Sequence, residues 1–179
     1  MKKIVLIITL SIVVTISLLS QPIKEISPEE GYQMLEQPST YLVDVRSIAE
    51  YVFVGHPEMA YNVPLLFWSE MEQKLTTNKN FIQDIRSQFE EKDVLIFICR
   101  SGGRSMGAAN LAYKAGFLHV FSIREGFEGK NDEKGYRTVD GWKNRNLPYT
   151  YKLKKELVYH PQKSSEGSKN KKRGQAPFS

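Results

Sequence analysis

Cysteine occurs once in this 179-residue chain, at Cys99, where it heads the run Cys99-Arg100-Ser101-Gly102-Gly103-Arg104-Ser105. These residue types suit nucleophilic chemistry on an anionic substrate. The thiolate is the reactive form of cysteine, and N–H groups and positive charge around the sulfur favour it. Gly102 and Gly103 let the backbone curl so that successive N–H groups converge, and Arg100 and Arg104 add two cations. Cys99 is therefore the candidate nucleophile, and Arg100, Ser101, Gly102, Gly103, Arg104 and Ser105 are the candidate substrate-binding residues. A buried structural cysteine, the ordinary fate of a free thiol, accounts for Cys99 alone. It does not account for the two glycines and two arginines behind it.

Such a loop works only if its neighbours hold it. Val94-Leu95-Ile96-Phe97-Ile98 is a continuous apolar run, too short for a helix, and reads as a central strand buried on both faces. Ser105 to Ala115 reads as an alanine-rich helix closed by Gly116 in a left-handed cap. The loop thus lies at the C-terminal end of a strand, where α/β proteins place ligands, and faces the positive end of a helix dipole. Further strands are expected at Tyr41–Val45, Ala60–Val63 and Val120–Ile123. Ser27-Pro28-Glu29-Glu30 has the form of a capping box opening a helix. Ser47–Tyr51 reads as a short helix, and Leu66–Leu75 and Phe81–Phe89 carry helical patterns. Gly55-His56-Pro57 reads as a turn, and Trp142 as the anchor of a late helical turn before Leu147-Pro148. Strands alternating with helices predict an α/β domain on a parallel sheet, spanning 24–150.

Several function classes are excluded by composition. One cysteine allows neither an intrachain disulfide nor a cysteine-built zinc site, and His56, His119 and His160 are scattered without metal-ligand spacing. The net charge of +5 comes from the ends: 21–150 holds 15 Lys/Arg and 18 Asp/Glu, whereas 151–179 holds eight Lys/Arg and two Glu. A nucleic-acid-binding domain carries its positive charge on a folded face, so no nucleic-acid partner is expected. The 151–179 segment reads as a basic tail, disordered from about Tyr159. At the other end, Lys2 and Lys3 precede sixteen uncharged residues, Ile4 to Leu19. That is the layout of a signal peptide over 1–20. It predicts export, in a bacterium to the periplasm, with a membrane anchor through 4–19 as the alternative.

Over Ile26 to Tyr149 the sequence resembles the rhodanese family of sulfurtransferases. Four stretches in order carry the resemblance: Asp44-Val45-Arg46 with Glu50-Tyr51; Gly55-His56-Pro57 with Ala60-Tyr61-Asn62-Val63-Pro64; Cys99 to Ser105; and Gly126 with Gly141-Trp142 and Leu147-Pro148. Between Ile123 and Trp142 the chain makes a longer, charged excursion than the family's short Gly-Gly turn. The resemblance implies a central, mostly parallel five-stranded sheet with helices on both faces. It also implies an activity, thiosulfate sulfurtransfer. The Cys99 thiolate takes the outer sulfur of a small anionic donor such as thiosulfate, forms a persulfide, and passes the sulfur to a thiol or to cyanide. No cofactor beyond that covalent persulfide is implied. Arg104 is expected to orient the donor and Arg100 to attract it or face solvent. Asp44, Arg46 and His56 are expected to support the site, Asp44 by accepting N–H bonds around the loop, and an Arg46–Glu50 pair is expected on the surface. Two rivals differ from this reading. A partner-binding or sulfur-carrier module would turn over little. A cysteine phosphatase or arsenate reductase would place arginine six positions after the cysteine, where this chain has Ser105.

Overall fold

Strands form where the apolar runs are densest, and they define the frame on which the loop sits. The structure, a computed structural model, describes residues 23–161. The export segment expected over 4–19 and the tail beyond residue 161 lie outside the described residues. In chain order the elements are β1 (Lys24–Ile26), α1 (Pro28–Met34), β2 (Thr40–Asp44), α2 (Ile48–Val54), β3 (His56–Pro57), β4 (Tyr61–Asn62), β5 (Leu66–Ser69) and β6 (Lys74–Thr77). They continue with α3 (Phe81–Arg86), β7 (Val94–Ile98), α4 (Gly103–Lys114), β8 (His119–Ile123), β9 (Lys130–Asn131), β10 (Arg137–Val139) and β11 (Tyr149–Thr150). A five-stranded sheet runs in the order β1-β8-β7-β2-β4, with every neighbouring pair parallel.

Strand alternation assigns the two faces. Val43, Leu95, Phe97 and Val120 point to one side, where they pack with Phe81 and Ile85 of α3 and Ala108, Ala109 and Ala112 of α4. Leu42, Ile96 and Ile98 point to the other, against Tyr51 of α2, Tyr32 and Met34 of α1, and the fully buried Trp142. The three alanines let α4 lie close on the sheet, so a larger side chain there would overpack the contact at a cost of about 1–3 kcal/mol. The expected helix on each face is therefore present. So is the capping box of α1, with Glu30 N–H donating to Ser27 Oγ at 3.1 Å and Ser27 N–H to Glu30 Oε2 at 2.7 Å.

Four local expectations need correction. The expected helix at Leu66–Leu75 is an antiparallel hairpin of β5 and β6, turned at Gln73 with φ of +48°. Trp68, Met71 and Leu75 have helical spacing, yet all three are exposed, and the residues that dock are Leu66 and Phe67. Gly55-His56-Pro57 is more than a turn, since His56 and Pro57 pair with Thr150 and Tyr149. The stretch after Thr150, assigned to the tail, stays packed: Leu157 and Tyr159 are buried, and Tyr159 Oη donates to Asp84 Oδ2 at 2.9 Å. Nor do Arg46 and Glu50 form a surface pair, because each is bound to a different partner.

Candidate active site

Strand β7 delivers Cys99 directly from the core, and the residue is buried. The chain then reverses through Gly102, whose φ of +102° would strain any other residue, and where a Cβ would overlap the Arg124 carbonyl oxygen. That reversal aims the Gly102 N–H at Cys99 Sγ, 3.2 Å away. Helix α4 starts at the next residue, with its positive dipole end toward the sulfur. Below the thiol lies a buried hydroxyl pair. Cys99 Sγ is 3.5 Å from Ser105 Oγ, which donates to the Gly102 carbonyl at 2.7 Å and accepts from Ser122 Oγ at 3.0 Å. Ser105 can thus accept from the thiol or turn its proton toward the thiolate. Of the backbone N–H groups among the described residues, that of Gly102 reaches the sulfur.

The charged excursion after β8 holds the other side of the loop. Phe127 N–H donates to the Cys99 carbonyl at 2.7 Å, and Glu128 N–H to that of Arg100 at 3.0 Å. Gly126 (φ +67°) makes this approach possible, since a Cβ there would stand 2.6 Å from the carbonyl carbon of Arg100. Behind it, Trp142 N–H donates to the Gly126 carbonyl at 2.9 Å. The excursion is therefore a buttress of the loop.

The two loop arginines have different surroundings. Arg104 donates from Nη1 and Nη2 to the Glu50 carboxylate at 2.8 and 2.6 Å. Glu50 also accepts from the Ser47 N–H and hydroxyl, completing the capping box of α2. Burial pushes the Glu50 carboxyl up, but Arg104 and Ser47 outweigh it and hold the group at about 2. Sequence reasoning put Arg104 on the donor; both its terminal nitrogens are occupied by a carboxylate on another helix. Arg100 is exposed at the mouth of the site and makes no ion pair among the described residues.

Asp44, Arg46 and His56 form a buried layer behind the loop. Asp44 accepts from the backbone N–H, Nε and Nη2 of Arg46, the last at 2.6 Å, so its hydrogen bonds go to Arg46 and not to the loop around Cys99. Arg46 also donates to the Gly55 carbonyl at 2.7 Å, and its guanidinium lies 4.2 Å above the Phe127 ring. Burial disfavours the Arg46 charge, yet Asp44 raises its pKa above the usual value. Through Phe127 this layer reaches the Cys99 carbonyl. His56 stacks on Tyr51 at 3.7 Å and donates from Nδ1 to the Tyr51 carbonyl at 3.0 Å. Burial depresses its pKa, so it is neutral near pH 7 and belongs to the packing rather than to the cleft.

A cleft of about 690 Å³ opens over Cys99, lined by the polar Ser47, Glu50, Arg100 and Arg104 and by the apolar Trp68 and Leu75. Sequence reasoning missed Trp68, Leu75 and Ser122. The β-forming Phe67-Trp68 and Thr76-Thr77 on either side of a polar stretch were the available signal for the hairpin. Nothing local marked Ser122.

A parallel sheet bearing a cysteine loop between a central strand and a helix defines a class of protein. The Rhodanese-like domain family matches residues 27–133, and the chain belongs to that family. It is similar to the uncharacterized protein RP600 of Rickettsia prowazekii, 36% identical over 132 residues that cover 72% of this chain and 98% of that protein. It is also similar to the thiosulfate sulfurtransferase GlpE of Actinobacillus pleuropneumoniae, 25% identical over 73% of this chain and 95% of that protein. Among solved structures, Rv0390 from M. tuberculosis matches with a TM-score of 0.64 and 34% identity, over 74% of this chain and all of that one.

Proposed function

We propose that the protein is a sulfurtransferase that carries sulfane sulfur on Cys99. The observation that carries this reading is the Gly102 N–H held 3.2 Å from the sulfur at the helix α4 N-terminus, beneath an open cleft. A donor N–H preorganised at that point stabilises an anionic sulfur without reorganisation. The thiolate attacks the outer sulfur of thiosulfate, an S–S bond forms to Cys99, and the old S–S bond breaks to release sulfite. The persulfide's terminal sulfur keeps the negative charge and now extends into the cleft. Cyanide or a thiolate then attacks that sulfur, leaving as thiocyanate or a persulfide and returning the Cys99 thiolate. Proton and electron counts balance with no external oxidant. The name of the GlpE relative agrees with this chemistry. A phosphatase reading fits less well, because Arg104 is spent on Glu50 and no guanidinium is left to clamp a phosphoryl group from the helix side of the loop. For the cell, the donor is a small anion, the acceptor is a thiol, and the compartment is the one reached through the 4–19 export segment.

The test is intact mass. Thiosulfate adds one sulfur atom to the protein and cyanide removes it as thiocyanate, and Cys99→Ser abolishes both. Wild-type turnover by the serine variant overturns the mechanism.

A further inference from the structure

The apolar part of the cleft lining has no role in the transfer described above. Trp68 and Leu75 are directly paired across the β5–β6 hairpin, so their side chains share one face. On the other face Phe67 lies 5.6 Å from the Tyr159 ring, and Thr76 Oγ1 donates to the Phe67 carbonyl. Asn78 fixes the root of the hairpin, its N–H on the Leu65 carbonyl at 2.9 Å and its Nδ2 on the Pro64 carbonyl at 2.9 Å. A well-anchored hairpin thus holds an indole 59% exposed and a leucine 43% exposed over the nucleophile. None of the ring–ring contacts among the described residues involves Trp68.

Size and charge say what this wall would meet. A cleft of about 690 Å³ is in the ~300–1,000 Å³ range of sites for whole organic ligands, far more than a five-atom inorganic ion fills. Cys99 lines the cleft together with the cation Arg100, which attracts an anion, while Trp68 and Leu75 make part of the lining apolar. We propose that Trp68 and Leu75 form a specificity wall that selects sulfane-sulfur donors bearing an apolar organic group, of the organic thiosulfonate class, over inorganic thiosulfate. This rests on the sulfurtransferase reading and names its donor. The thiolate takes the outer sulfur of R–SO₂–S⁻, its S–S bond breaks, and the sulfinate R–SO₂⁻ leaves with the electron pair. The organic group lies against Trp68 throughout.

The experiment compares benzenethiosulfonate with thiosulfate, which offer the same outer sulfur. Wild-type kcat/KM favours the aryl donor by about tenfold or more, in line with what apolar contacts contribute to discrimination. Trp68→Ala lowers the aryl-to-thiosulfate ratio about tenfold and Trp68→Phe restores most of it. A ratio near one in the wild type, or one unchanged in Trp68→Ala, overturns the proposal. A second arm needs no turnover. The chain has two tryptophans, and Trp142 is buried, so emission that responds to an added ligand reports Trp68. Benzenesulfonate quenches it saturably in Cys99→Ala protein, and methanesulfonate does so at much higher concentration. Equal or no quenching by the two overturns the wall. Absence of a Cys99 persulfide with either donor overturns the sulfurtransferase reading instead, and the wall is then judged on the sulfonate titration alone.

Discussion

Glu50 joins two helices that the active-site loop depends on, and its removal gives a quantitative test. It closes the capping box at the start of α2 and holds Arg104 of α4 with both carboxylate oxygens. Glu50→Gln keeps the shape and one acceptor but removes the charge. The carboxyl sits at about 2 against 4.5 unperturbed, a difference worth about 3 kcal/mol at 1.36 kcal/mol per pH unit. The pair is partly open to solvent, and screening together with side-chain entropy reduces that to about 1–2 kcal/mol. A group whose folded pKa is depressed contributes stability above its unfolded pKa and loses it as pH falls through the folded value. The contribution is therefore complete above about pH 5 and fades between 4.5 and 2. Urea unfolding at pH 7 should show Glu50→Gln less stable than wild type by about 1–2 kcal/mol. At pH 2.5 the gap should shrink markedly. The same gap at both pH values would show that the loss comes from geometry, not from the carboxylate charge, and would refute the latch.

The arginines should separate by readout. Arg100→Ala should lower kcat/KM for thiosulfate about fivefold and flatten its salt dependence, whereas Arg104→Ala should lower the urea midpoint and add little when combined with Glu50→Gln; a large salt-dependent loss in Arg104→Ala alone would reverse the assignment. Gly126→Ala should destabilise the domain by about 2 kcal/mol and slow persulfide formation, since its Cβ would meet the Arg100 carbonyl carbon; a variant as stable as wild type would remove the buttress. Expressed whole in a Gram-negative host, the protein should leave the cytoplasm, its mature form lacking Lys2 and Lys3; the complete chain in the soluble cytoplasmic fraction would contradict export.

The sheet was legible because burial on both faces leaves a mark that no other element imitates at that length. Val94–Ile98 has five apolar residues and no polar break, and it became the central strand. Strand β1 was missed because Lys24-Glu25-Ile26 is an edge with one buried residue, so its pattern is that of a loop. The β5–β6 hairpin was missed for a different reason. Periodicity reports a buried face, and the residues of that hairpin with helical spacing, Trp68, Met71 and Leu75, are left exposed. A segment whose apolar side chains stay exposed misleads any reading that equates apolar with buried.

The site shows the same division. Cys99, its glycines and its arginines announced themselves because one short run holds them all. What decides the work of each arginine lies far along the chain. Arg104 and Glu50 are 54 residues apart, and they meet because β2 and β7 are adjacent parallel strands whose following helices start side by side. Arg46 and Glu50 are four apart, which is the spacing of a helical pair, yet Arg46 precedes α2 and turns inward to Asp44. A buried charge needs a partner at hydrogen-bond distance, so Arg46 is committed to Asp44 and Arg104 to Glu50, and Arg100 is the one of the three without an ion pair among the described residues. Which loop arginine is left unpaired at the cleft is thus decided by the register of the sheet and not by its place in the loop.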